Sequence, residues 1–186
     1  MDYLQPKFYR FSEDSLWLAK VAANRKTDAG SILDIGCGCG VVGIETVNRL
    51  KSPESLSLIE PQAEFLEFID NNLELIEKDI KVQVYNSKLE NLKSDQRFDL
   101  ILSNPPYFNP NDSRPSKNIN RLRCRTFQDS GLLDFALMAR GFLCPGGELY
   151  ILARKENTDV DKLINNYGFK VLDQFKDVLL LNFIHE

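Results

Sequence analysis

The chain has 186 residues, 43% of them hydrophobic and 27% charged, which suits one soluble globular domain with a sizeable core. A formal net charge of −4 argues against a generally basic nucleic-acid coat, while leaving room for a local basic patch. No apolar run is long enough to span a bilayer, and the opening Met1-Asp2-Tyr3-Leu4-Gln5-Pro6-Lys7 lacks the basic-then-apolar order of a signal peptide, so a cytoplasmic location is expected.

Gln5-Pro6-Lys7-Phe8-Tyr9-Arg10 reads as an extended lead-in. Ser12 is a good N-cap, with Glu13 and Asp14 suited to a first helical turn and Phe11 and Leu16 spaced as a hydrophobic staple; the helix should end near Arg25. Ser31 to Ile35 is a short strand running into Gly36-Cys37-Gly38-Cys39-Gly40, after which Val41 to Leu50 has helical character. Ser55-Leu56-Ser57-Leu58-Ile59 is a second strand ending in Glu60, and a helix over Gln62 to Glu77 is expected from Phe65, Leu66, Ile69, Leu73 and Ile76. Lys81 to Tyr85 is a third strand, followed by Asn86-Ser87-Lys88-Leu89, and Phe98 to Leu102 a fourth.

Residues 109–128 have no regular period, and they carry Arg114, Lys117, Arg121, Arg123 and Arg125 against one acid, Asp112. Loops this long within a domain are commonly functional, and the local reversal of sign on an acidic chain suggests a polyanion. Leu132 to Leu143 should be a helix, Pro145-Gly146-Gly147 a turn, and Glu148 to Leu152 a strand. Asp159 to Tyr167 is a helix stopped by Gly168, and Phe169 to Phe175 with Val178 to Ile184 form an antiparallel pair. Strand-helix alternation up to that pair implies a parallel sheet with helices on both faces, in one domain over residues 1–186 whose first 30 residues are a lead-in and capping helix.

Two stretches carry chemistry. The first is the glycine turn, whose missing side chains let a ligand approach the backbone and whose following helix offers free N–H groups. Gly38-x-Gly40-x-x-Gly43 also satisfies the dinucleotide fingerprint, but Asp34 at the strand end suits a ligand ammonium better than a pyrophosphate, and no acid or base for hydride transfer is evident. Glu60, at the end of the second strand, is placed to accept both hydroxyls of a ribose. The second stretch is Asn104-Pro105-Pro106-Tyr107-Phe108, a stiff corner at the end of the fourth strand. There the Asn104 side-chain oxygen and the Pro105 carbonyl can accept the two N–H bonds of a planar amine while Tyr107 stacks on its plane. Elsewhere, Cys37, Cys39, Cys124 and Cys144 contain no zinc-type pair, and the single histidine, His185, lies at the C-terminus, so neither a metal site nor a histidine-dependent hydrolase is expected.

On these motifs, together with Gln5 to Ser15, the chain resembles the class I S-adenosylmethionine-dependent methyltransferases with an Asn-Pro-Pro-Tyr motif, and more narrowly the bacterial tRNA(Val) adenine-N(6) methyltransferase family. The resemblance implies a Rossmann-like, seven-stranded, mostly parallel sheet with an antiparallel C-terminal strand. It implies S-adenosylmethionine bound by Asp34, Gly36, Gly38, Gly40, Glu60, Ser87 and Asn104, and catalysis by Asn104, Pro105 and Tyr107. Pro106, Phe108, Arg121, Arg123 and Arg125 would hold the substrate, an adenine in tRNA or another structured RNA. Where the family often carries an acidic residue facing the cofactor's adenine, this chain has Ser87-Lys88-Leu89. Methylation of a protein glutamine amide or of guanine N(2) in ribosomal RNA would use the same corner, and an inactive RNA- or nucleotide-binding module is the non-enzymatic alternative.

Overall fold

The computed structural model describes residues 2–105 and 131–186. Its elements are α1 (Glu13–Arg25), β1 (Ser31–Ile35), α2 (Val41–Arg49), β2 (Ser55–Ile59), α3 (Leu66–Asn72), β3 (Lys81–Tyr85), β4 (Phe98–Ser103), α4 (Leu132–Arg140), β5 (Leu143–Arg154), α5 (Asp159–Tyr167), β6 (Lys170–Phe175) and β7 (Val178–Ile184). The strands form one sheet in the order β3-β2-β1-β4-β5-β7-β6. Neighbouring strands are parallel except where β7 runs antiparallel to β5 and β6. The expected α/β class and its reversed last strand are therefore present.

Strand residues alternate between two apolar layers, as the two-residue period of a strand requires. Ile32, Leu56, Leu58, Leu100, Leu102 and Leu152 pack with Leu18, Ala22, Ile44 and Ile69 from α1, α2 and α3. Leu33, Ile35, Ile59, Ile101, Leu149 and Ile151 pack with Ala136, Ala139, Val160 and Leu163 from α4 and α5. Both faces of the sheet are covered, which is why its central strands read as nearly continuous apolar runs.

Several local expectations need correction. The helix expected over Gln62 to Glu77 is broken into a 3₁₀ turn, Ala63–Phe65, then α3, then a second 3₁₀ turn, Leu73–Leu75. Its end is set from outside: Asn48 Nδ2 donates to the Leu75 carbonyl (2.9 Å), and Asn48 Oδ1 accepts from Glu77 N (2.9 Å). The helix expected to reach Leu143 stops at Arg140, because Leu143 is drawn into the sheet opposite Phe98. Strand β5 consequently starts before Pro145-Gly146-Gly147, and a register shift in its pairing with β4 accommodates the irregular segment. Ser12 precedes α1 in extended backbone but makes no side-chain cap; its hydroxyl instead donates to Asp14 Oδ1.

Candidate cofactor and amine site

The order of the sheet reverses between β1 and β4, so the chain leaves their C-terminal ends in opposite directions and opens a crevice there. Asp34 pairs with Leu102 in register, and the buried Ser103 hydroxyl donates to the Ile35 carbonyl (2.8 Å). The residues that follow, Gly36 and Asn104, thus depart from adjacent, mutually tied strand ends. On the other side, Glu60 N donates to the Tyr85 carbonyl (3.0 Å) and Asn86 Nδ2 to the Glu60 carbonyl (2.9 Å), which fixes the end of β2 against β3. Asp34, Gly36, Gly38, Gly40, Glu60, Asn104 and Pro105 accordingly lie along one edge, and half-buried Ser87 follows Asn86 at the end of β3.

The glycine turn is strapped to β2 by Gly36 N and Cys37 N, which both donate to the Ile59 carbonyl (2.8 and 3.1 Å). Gly36 has φ +68°, and a Cβ built on it would point into open space, so the turn presents bare backbone towards the crevice. Gly43 has a different task. A Cβ there would come within 2.9 Å of Leu58, so its absence lets α2 close onto the sheet and brings Gly43 N to Asp34 Oδ2 (2.8 Å).

Two carboxylates are buried around this turn. Asp34 is 1% exposed and Glu60 4%. Glu60 Oε2 accepts from Gly38 N and Oε1 from Gln62 N, both at 2.9 Å. Burial nevertheless outweighs these bonds and pushes each carboxyl up to about 7; the charge of Glu60 adds to the effect at Asp34, and that of Glu64 to the effect at Glu60. The Cys37 thiol, buried beside both, is also pushed up and stays protonated.

Four contributors to the site are not among the site residues read from the sequence. Asn72, at the end of α3, accepts from Leu4 N (2.9 Å) and donates to the carbonyls of Leu4 (2.9 Å) and Cys39 (3.0 Å), tying the N-terminal segment to the glycine turn. Tyr3 donates to buried Glu45 on α2 (3.0 Å), anchoring the same segment. Tyr9 lies over the turn, with its ring 3.5 Å from where a Gly38 Cβ would be, and it packs edge-on against Phe65. Ser15, in the first turn of α1, accepts from Asn104 Nδ2 (3.0 Å). The Gln-Pro element therefore folds over the glycine-loop edge, with Lys7 and Arg10 exposed.

Pro106, Tyr107 and Phe108, and the basic stretch with Arg114, Lys117, Arg121, Arg123 and Arg125, lie outside the described residues. Among the described residues no helix is long and apolar enough to cross a membrane, and no group of three or more His, Cys, Asp or Glu could hold a metal ion.

Comparison with known proteins agrees with this geometry. A tRNA1(Val) (adenine(37)-N6)-methyltransferase of Actinobacillus pleuropneumoniae is 34% identical over 120 residues, covering 63% of this chain and 49% of the relative. A release factor glutamine methyltransferase of Fusobacterium nucleatum is 28% identical over 162 residues, covering 82% of this chain and 45% of the relative. The chain spans about half the length of the curated relatives it matches. Among solved structures, a T. thermophilus 16S rRNA N2 G1207 methyltransferase in complex with AdoMet and guanosine superposes with a TM-score of 0.65 at 20% identity, over 95% of this chain and 44% of that one. The model of the family described as methyltransferase small domain matches residues 13–174, from the first residue of α1 into β6. The chain belongs to the methyltransferase small domain family and has the fold of the S-adenosylmethionine-dependent methyltransferases.

Proposed function

We propose that this protein is an S-adenosylmethionine-dependent N-methyltransferase whose acceptor is an exocyclic amine, adenine N(6) in tRNA or another structured RNA. The observation that carries this is the tie between Ser103 and Ile35, which sets Asn104 at a strand end beside the glycine turn. The residues fit the cofactor. Its ammonium and ribose hydroxyls are hydrogen-bond donors, and Asp34 and Glu60 are buried acceptors beneath a turn whose open face is bare backbone. When bound, S-adenosylmethionine supplies a methyl group on a cationic sulfur, which leaves without needing an acid. The protein's part is placement and polarisation. Asn104 and the Pro105 carbonyl accept the amine's two N–H bonds, and Tyr107 stacks on the base. Arg121, Arg123 and Arg125 hold phosphates without reading sequence. An adenine in folded RNA must leave its stack to reach this corner, or be unstacked already.

The match to the release factor enzyme, longer than that to the tRNA enzyme, favours a second reading in which the acceptor is a glutamine amide. Nucleoside mass spectrometry of tRNA from cells with and without this protein separates the two. Loss of N(6)-methyladenosine from one tRNA is the expected result. An unchanged nucleoside profile, together with loss of a methylated glutamine in a protein digest, would promote the second reading.

A further inference from the structure

The corner at the end of β4 uses a side chain with two unlike ends. An asparagine amide accepts at its oxygen and donates at its nitrogen, and rotation by half a turn exchanges them. If the donating end faced the amine, N–H would oppose N–H and the lone pair would not be freed. The peptide geometry at Asn104 restrains the backbone but leaves this choice open.

In the structure the nitrogen end is held by Ser15. This serine stands one turn into α1, 89 residues away in sequence, and is 2% exposed. Helix α1 packs against β4 and β5, and its first turn is closed by Ser15 N donating to the Ser12 carbonyl (3.1 Å). The hydroxyl that this turn delivers receives Asn104 Nδ2 at 3.0 Å. With the nitrogen engaged by a buried group on a rigid helix, the amide oxygen is directed away from α1. We propose that Ser15 is a positioning residue that holds Asn104 by its amide nitrogen and so presents the acceptor end to the substrate amine. The proposal rests on the proposed function, and it gives α1 a role in the reaction beyond covering the sheet.

The test combines a spectroscopic and a kinetic readout. In the ¹⁵N spectrum of the full-length protein, the Asn104 side-chain NH₂ pair is assigned by its loss in Asn104→Ala. Ser15→Ala should shift that pair and speed its exchange with water, and Ser15→Thr, which keeps the hydroxyl, should restore it. With tritiated S-adenosylmethionine and bulk tRNA from cells lacking the protein, Ser15→Ala should lower kcat about ten-fold, the order expected for one lost neutral hydrogen bond. Affinity for S-adenosylhomocysteine should stay unchanged, which also reports that the variant is folded. In the Asn104→Ala background the second substitution should cost nothing further, since the group it positions is gone. An Asn104 NH₂ signal indifferent to Ser15→Ala would overturn the proposal. So would a loss of S-adenosylhomocysteine affinity with kcat retained, which would make Ser15 a cofactor ligand. Full turnover by Asn104→Ala itself would instead refute the proposed function.

Discussion

Glu60 offers the sharpest quantitative test. In the unbound protein its carboxyl is pushed from an ordinary 4.5 up to about 7, chiefly by burial. At about 1.4 kcal/mol per pH unit, keeping it ionised in that setting costs about 3 kcal/mol. On the proposed function, two ribose hydroxyls would donate to the carboxylate and offset that cost, so binding should require the ionised form. Asp34 behaves alike, held up to about 7 by burial and by the charge of Glu60. Wild-type affinity for S-adenosylhomocysteine should therefore be constant above about pH 8 and weaken as pH falls through 7, by ten-fold per unit for each proton taken up. Protonated Glu60 has a carbonyl acceptor and an O–H donor, and glutamine, with a carbonyl and an NH₂, is its nearest neutral counterpart. Glu60→Gln should thus mimic the low-pH form. It should bind about 10- to 150-fold more weakly at high pH, the range for one charge-assisted hydrogen bond, and the two curves should converge below about pH 6. The residual pH dependence of the variant belongs to Asp34 and should move to lower pH, because a neighbouring charge has gone. Calorimetric titrations between about pH 5.5 and about 8.5 measure all of this. A wild-type affinity flat over that range, or a variant whose curve stays parallel to wild type, would refute the assignment of Glu60 as the ribose acceptor.

Other expectations follow from single contacts. Because folding raises both buried carboxyls above their unfolded values, the stability they contribute is complete below about pH 4 and is lost as pH rises through about 7. The melting temperature of the ligand-free protein should fall over that window, and saturating S-adenosylhomocysteine should flatten the fall; a ligand-free melting temperature that rises from pH 5 to 8 would contradict it. Asn104→Ala should lower turnover about 100-fold or more, as when one preorganised polar contact is removed. Replacing Arg121, Arg123 and Arg125 with Ala should weaken tRNA binding and reduce its log–log salt slope by about 2, at ~0.7–0.9 per phosphate contact, with cofactor affinity unaltered. Asn72→Ala removes two hydrogen bonds to Leu4 and a buried one to Cys39 and should cost about 2–4 kcal/mol, read as a drop in melting temperature of about 5–15 °C.

What the sequence made legible was whatever depends on local pattern. Apolar runs ending in Asp34 and Glu60, a glycine turn, and a proline corner are each encoded within a few residues, and parallel strands separated by helices leave few topologies open. What it concealed depends on side chains that cap backbone groups far away. Asn48 looks like an unremarkable helix residue until its amide is seen to end the following helical stretch at Leu75 and Glu77. Asn72 sat among residues that suited a continuous helix, while its side chain serves Leu4 and Cys39. Ser15 satisfied the spacing of a first turn, and nothing in that spacing points to Asn104. A polar residue that reaches across the fold leaves no periodic trace, because periodicity reports which face is buried and not what a buried polar group bonds to.

The burial that raises the two carboxyls is not separable from the shape of the turn. Gly36 N and Cys37 N reach the Ile59 carbonyl only if the turn bends down onto β2, and that bend covers Glu60. Gly43 N reaches Asp34 only if α2 lies close against the sheet, and that approach covers Asp34. A looser turn would leave both carboxyls wet and ionised, with ordinary values and little to gain from a ligand's donors. The tighter turn strengthens each bond a donor makes there, since the competing water has been removed, and it charges the ligand-free protein for the arrangement. On the proposed function, cofactor affinity and ligand-free stability are therefore opposed at these two positions. A substitution that relieves the burial, such as Gly43→Ala pressing α2 away from Leu58, should move both carboxyls back towards ordinary values and weaken cofactor binding together.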